Sequence, residues 1–200
     1  MKFALAALAL AAMATTAQAA DFLDGKPTLS VEYDYHTNAG APGHSQYGYI
    51  GLAQQTTLGT FDAGLQGLKA TNPGFGTDNS QGFEIGYSYP VSVDKYRITP
   101  RIAYGALNQI EPAGSGFSLN ARYALLSLEV AAPITKDLGG YVSYSHQNGT
   151  NADFGSPSNR VQAGVDFALT DKVALRTGVS FMRQAGFQQN GVVAIVSYGF

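Results

Sequence analysis

The chain has no cysteine and no tryptophan, and only 13% of its 200 residues are charged. The missing cysteine excludes a disulfide framework and a lipoprotein anchor. The charge content is about half of the roughly 25% usual in a soluble domain. Beyond the N-terminus, no apolar run approaches the roughly 20 residues that a membrane-spanning helix needs. With Lys2 removed in processing, 11 basic residues face 14 acidic ones, which gives no ground for nucleic-acid binding. Glycine is abundant, at 24, with 12 tyrosines and 11 phenylalanines. Low charge without long apolar runs suits strands that have one lipid face and one polar face.

The N-terminus indicates export. Lys2 is followed by an apolar stretch, Phe3 to Met13, and then by Ala17-Gln18-Ala19, a small-x-small cleavage pattern. Residues 1–19 read as a cleaved signal peptide, and 20–200 as one domain of about 180 residues. The apolar stretch is about half the length of a spanning helix, which argues against an anchor.

Period two runs through the domain. Leu29, Val31, Tyr33 and Tyr35 alternate with Ser30, Glu32, Asp34 and His36. The same holds for Phe83–Tyr89, Tyr96–Tyr104, Val161–Leu169 and Val173–Phe181. Alternation over about ten residues marks a strand between two environments, and ten tilted residues cross an apolar band of roughly 25 Å. Short turns are expected at Leu58-Gly59, Asp94-Lys95, Lys136-Asp137 and Asp171-Lys172. Long loops are expected over Thr37–Gln46, Ala70–Gln81, Ala106–Gly116, Gln147–Asn159 and Arg183–Asn190. Five loops and four turns make an all-β, antiparallel transmembrane barrel of ten strands, with both termini on the periplasmic side. Two segments change phase, at Tyr47/Tyr49 against Ile50/Leu52 and near Leu125/Leu126, where a bulge would leave eight or twelve strands.

A soluble barrel would also alternate, but its outer polar face should be rich in Lys and Glu. Here the polar face is mostly Gly, Ser, Ala and Gln. Aromatic residues instead gather near strand ends: Tyr35, Tyr104, Phe117 and Phe181 at one, Tyr87, Tyr89, Tyr96, Tyr198 and Phe200 at the other. Two aromatic girdles indicate a membrane.

The last strand, with Val192, Ala194, Val196, Tyr198 and Phe200 alternating, ends Val196-Ser197-Tyr198-Gly199-Phe200. This resembles the C-terminal signature of the bacterial outer-membrane β-barrel superfamily, in particular small porin-like barrels. The resemblance implies insertion by the barrel-assembly machinery, reading Tyr198 and Phe200, into an outer membrane of lipid and lipopolysaccharide.

The charged residues expected to line the lumen are Glu32, Asp34, Asp62, Glu84, Arg97, Arg101, Arg122, Glu129, Arg160, Asp166 and Arg176. The early strands supply mainly acids and the later ones the arginines, so the two sets should face each other across the interior. Such a lumen is either a narrow pore for small polar solutes or ions, or a plug of buried ion pairs. An enzymatic alternative rests on Glu32, Asp34 and His36, which share one face at the outer rim and could activate water. Ser145-His146 resembles part of an outer-membrane deacylase motif, but Asn148 stands where that motif needs a serine. No cofactor or metal is expected, and His36, His44 and His146 read as solvated rim residues. The loops, including Asn148-Gly149-Thr150, offer a third reading, surface interaction.

Overall fold

The computed structural model describes residues 26–39, 42–72, 76–110, 120–151, 156–184 and 187–200. The expected signal peptide, Phe117 and parts of the loops lie outside these residues. The strands are β1 (Thr28–Asn38), β2 (His44–Thr56), β3 (Gly59–Asn72), β4 (Gly76–Ser88), β5 (Val91–Val93), β6 (Tyr96–Ile110), β7 (Asn120–Pro133), β8 (Leu138–Gly149), β9 (Ser158–Ala168), β10 (Val173–Gln184) and β11 (Phe187–Gly199). Apart from β4 and β5, neighbours in sequence pair antiparallel, β4 pairs with β6, and β1 pairs with β11 from Thr28↔Gly199 to Asn38↔Gln189. The sheet is therefore closed. β5 extends β4 along β6 beyond a break at Tyr89-Pro90, so β4 and β5 form one stave of a ten-strand barrel. Proline there has no N–H to give the ladder.

All four expected turns are present, and each has a local reason. At Leu58-Gly59, glycine takes a φ of 126°, and Thr56 Oγ1 donates to Gly59 O at 2.9 Å. Thr135 Oγ1 accepts from Asp137 N, and Thr170 Oγ1 from both Lys172 N and Val173 N, holding two further turns by side chain-to-backbone bonds. Asp94 adopts a φ of 55° in the fourth, a region that Asp tolerates better than most residues.

The loop ends correct the expected boundaries. β1 runs to Asn38 and β2 begins at His44; β3 reaches Asn72 and β4 resumes at Gly76; only residues 185–186 separate β10 from β11. Gly, Ser, Asn and Thr look like loop composition, but the ladder uses backbone groups and accepts them. The two suspected bulges are also absent. β2–β3 keeps one register from His44↔Thr71 to Thr56↔Gly59, as does β7–β8 from Tyr123↔Gly149 to Pro133↔Gly139. Tyr47, Tyr49, Tyr123 and Leu125 point inward and are buried, while Ile50, Leu52 and Leu126 point outward. The phase change was a mixture of two apolar sets, one lipid-facing and one lumenal.

The outer wall is an apolar band whose members include Val31, Leu52, Leu65, Ile85, Ile102, Leu126, Val142 and Val196, all well exposed. Exposure of that extent over a whole wall fits hydrocarbon as the surrounding solvent.

Inside, large rings lie against glycines of their own or a neighbouring strand. Tyr49 covers Gly51 and Gly64, and Tyr123 covers Gly105, where a Cβ would stand 2.2 Å from the ring. Tyr123 cannot swing away easily, because its hydroxyl is bonded to Glu84 and Gln66, two and three strands along the wall. Gly105→Ala should therefore lower stability by about 1–3 kcal/mol in urea titration of the refolded barrel. Gly48→Ala, whose new methyl meets nothing within 4 Å, should stay within about 0.5 kcal/mol of the parent. Equal effects at the two sites would refute the ring-on-glycine account.

Candidate functional site in the barrel lumen

Alternation places one side chain in two inside the barrel, and a ten-strand circumference brings opposite walls within reach of an arginine. On one wall, Arg101 of β6 meets Asp62 of β3 through Nε–Oδ2 at 3.1 Å and Nη2–Oδ1 at 2.5 Å. The same Nη2 donates to Glu84 Oε1 at 2.8 Å. Glu84 Oε2 accepts from Tyr123 Oη at 2.7 Å, and Gln66 Nε2 donates to Tyr123 Oη at 2.9 Å. Gly86 leaves room for this knot, since a Cβ there would stand 2.4 Å from Arg101 Nη2.

A second knot fills the other wall at the turn-side end. Arg176 of β10 donates Nε to Asp166 Oδ1 at 2.6 Å and Nη2 to Asp166 Oδ2 at 3.0 Å. It also grips Glu129 of β7 at 2.6 and 3.1 Å. Tyr141 stacks on the guanidinium, with Cζ 3.9 Å from the ring centre. Two bidentate carboxylates and an aromatic face use the whole donor fork of one arginine. Towards the loop rim, Arg160 of β9 reaches across β10 and β11 to Asp34 of β1, and His36 Nε2 lies 2.9 Å from Ser180 Oγ.

The expected lumenal residues are thus largely brought together. Glu32, Asp34, Asp62, Glu84, Arg101, Arg160, Asp166 and Arg176 are buried inside, and Glu129 and Arg97 share the inward phase while remaining half-buried. Arg101 and Arg160 do pair with early-strand acids, as the segregated charges suggested, but Arg176 pairs with the late acids Asp166 and Glu129. Arg122 is a correction. Its neighbours Ala121 and Tyr123 point in, so Arg122 points out and is exposed at the loop rim. Glu32 is also set apart: both its oxygens are buried, and neither has a hydrogen-bond partner among the described residues.

The expected rim triplet lies inside the barrel. Glu32, Asp34 and His36 share a face, yet all are buried, so His36 is not a solvated rim residue. Ser180 Oγ and Asp34 Oδ2 approach the same His36 nitrogen, at 2.9 and 4.0 Å, whereas a relay needs them on opposite nitrogens. Ser145 points inward and His146 outward, so that pair shares no surface. Among the described residues no His/Cys/Asp/Glu group is arranged to hold a metal ion. The sequence reading missed Gln66, Tyr123, Tyr141 and Ser180 as partners in the network. The available signal was tyrosine occurring in phase with the polar face.

No family model matches this chain, and no curated protein does. Similar solved structures include the translocator domain of the autotransporter NalP from Neisseria meningitidis, with a TM-score of 0.54 and 13% identity, covering 91% of this chain and 92% of that one. The transport unit of AIDA-I from Escherichia coli has a TM-score of 0.54 at 10% identity, covering 94% of this chain and 93% of the other. The beta domain of the Bordetella autotransporter BrkA has 0.51 at 13%, covering 88% and 99%. These similarities show the fold, a closed antiparallel barrel of the outer-membrane type.

Removing a single member of the Arg176 knot should be costly. Arg176→Met alone leaves Asp166 and Glu129 buried without a counter-charge, and should cost about 3–5 kcal/mol in urea titration. Adding Asp166→Asn and Glu129→Gln should recover most of that loss. A triple variant no more stable than the single one would show that the knot is not what burial of these groups depends on.

Proposed function

We propose that this chain is an integral barrel of the bacterial outer membrane whose lumen is closed at rest, and that it acts through its outer surfaces and loop rim. One observation carries this reading: charged side chains along the lumen, from the turn-side end to the loop rim, are buried like those of a protein core. Arg176, Glu84 and Asp166 are 0% exposed, and Arg160 is 2% exposed. A standing aqueous path would wet them. Ten strands lie close to the eight-strand size, at which side chains fill a barrel, and far from porins with sixteen or more. In this reading the short turns and both termini are periplasmic, the loops face outward, and Tyr198 and Phe200 engage the assembly machinery during insertion. No catalytic step is assigned.

A narrow passive pore is the second reading, favoured by the composition of the lumen. Among the described residues six inward carboxylates, Glu32, Asp34, Asp62, Glu84, Glu129 and Asp166, outnumber the inward arginines 97, 101, 160 and 176. If the knots opened, such a path would prefer cations.

Single-channel recording of the refolded protein in a planar bilayer separates the two. The closed reading expects no reproducible steps from the parent, and steps from an Arg101→Ala/Tyr123→Ala variant that empties one knot. Regular conductance in the parent would overturn closure and favour the pore. Arg122→Ala should change nothing in either case, because its side chain is outside the lumen.

A further inference from the structure

Among strand residues whose side chains are described, every Asp and Glu points into the lumen, whereas three cations, Lys69, Arg122 and Arg183, point outward near the loop rim. The turn rim differs. There Lys136 pairs with Asp137 at 3.6 Å, Lys95 follows Asp94, and Lys172 follows Asp171, so three of the four cations have an acid beside them; the fourth, Lys26, donates to the Asp171 carbonyl. Among the described residues the outer wall is therefore electrostatically lopsided, with cations and no outward carboxylate at one edge of the apolar band.

One sector of that edge is built for more than solubility. Arg183 of β10 stands in register with Asn159 of β9, and Asn159 with His146 of β8. Asn159 Oδ1 accepts from Tyr144 Oη at 2.7 Å and lies 2.9 Å from His146 Nδ1. With its oxygen engaged, the Asn159 amide presents its NH2 as a donor beside the Arg183 guanidinium. Arg122 of β7 stands two strands from Asn159, four residues beyond the Leu126↔His146 pair towards the loops, and adds positive charge to the same rim. Val161 and Phe181, two residues nearer the turns, open the apolar wall directly below. A guanidinium and an amide donor at the upper edge of a hydrocarbon face match a group with an anionic head and apolar chains.

We propose that the β7–β10 sector at the loop rim binds the phosphate of a membrane lipid, with Arg183 and Asn159 on the headgroup, Arg122 alongside, and the acyl chains along Val161 and Phe181. Lipid is favoured over free phosphate because the cations border the apolar band rather than a water-filled cleft. The proposal rests on the membrane-spanning reading, and failure of that reading registers separately, as a chain that does not enter vesicles.

The test uses the full mature chain in phosphatidylcholine vesicles carrying trace spin-labelled phosphatidylglycerol or spin-labelled phosphatidylcholine. The motionally restricted fraction gives the relative association of the two lipids. The parent should prefer phosphatidylglycerol by about fivefold, the scale of one basic contact at a membrane surface. Arg122→Gln/Arg183→Gln should bring the preference close to parity, while Lys95→Gln/Lys172→Gln on the turn rim should leave most of it. Asn159→Asp, which places a carboxylate in the sector, should lower it as well and serves if the double variant fails to fold. No preference in the parent, or an unchanged one in both loop-rim variants, would overturn the site. Competition by millimolar inorganic phosphate would identify an anion site without lipid specificity and would overturn the lipid assignment.

Discussion

Closure of the backbone ladder between β1 and β11 is the constraint on which the rest of the structure depends. In hydrocarbon there is no water to satisfy an open edge, so every strand must have a partner on both sides. That requirement fixes a ring, and ten strands fix its girth. The interior is then narrow, yet too wide to be filled by small residues. Everything inside follows from that intermediate width: tyrosines laid over glycines, arginines reaching across several strands, and carboxylates held by guanidinium forks. The charges are not ornaments on a prior core. They are the core, and their mutual pairing is what makes a polar lumen compatible with burial.

The pairing scheme has a consequence for how the barrel could change. Arg176 has two carboxylates and a tyrosine ring around it, and Arg101 has two carboxylates with Tyr123 locked to one of them. Each knot is nearly saturated, so opening it means losing several charge-assisted bonds together. Glu32 between them has no such partner. The closed state is therefore built from two clusters that meet at β7, an Arg160–Asp34 pair nearer the loop rim, and Glu32, which no arginine grips. An arginine released from its own acid has a carboxylate to move to, which gives the narrow-pore alternative a physical route without making it the resting state.

Much of this was legible from residue order. Strict alternation in β1, β6, β9 and β10 located those strands and their lumenal faces, and the Thr/Asp/Gly turns set the strand count. The failures share one cause: hydropathy was used as a proxy for direction. Leu107, Leu125, Val193 and Ile195 are apolar yet lumenal, and Arg122 is charged yet lipid-side, so a rule that sends polar residues inward misplaces them. Register decides instead, because a side chain's face is set by its neighbours' parity along the strand. Loop lengths failed for a related reason. Glycine, serine and asparagine near the rim carry no hydropathic signal, but their N–H and C=O groups extend the ladder like any others. The pairing of Arg176 with Glu129 was beyond reach, since it depends on which strands the closed ring brings near each other, whereas Asp166 stands directly across the β9–β10 hairpin from Arg176.

Inward acids and outward cations are usually treated as separate matters, one of packing and one of solubility. In a barrel they are linked by the same parity. A carboxylate one residue out of phase would enter the apolar band, where charge is costly, so acids survive only inside, where an arginine can meet them. A lysine or arginine out of phase has a second option. Its long stem can lie along the apolar wall while its head reaches the rim, and an anionic headgroup waits at that level. The outward placement of Lys69, Arg122 and Arg183 thus follows from what a lipid-facing position permits. The Asn159 and His146 cluster beside Arg183 is not required by that rule, and it is the part of the outer wall that goes beyond tolerance to recognition.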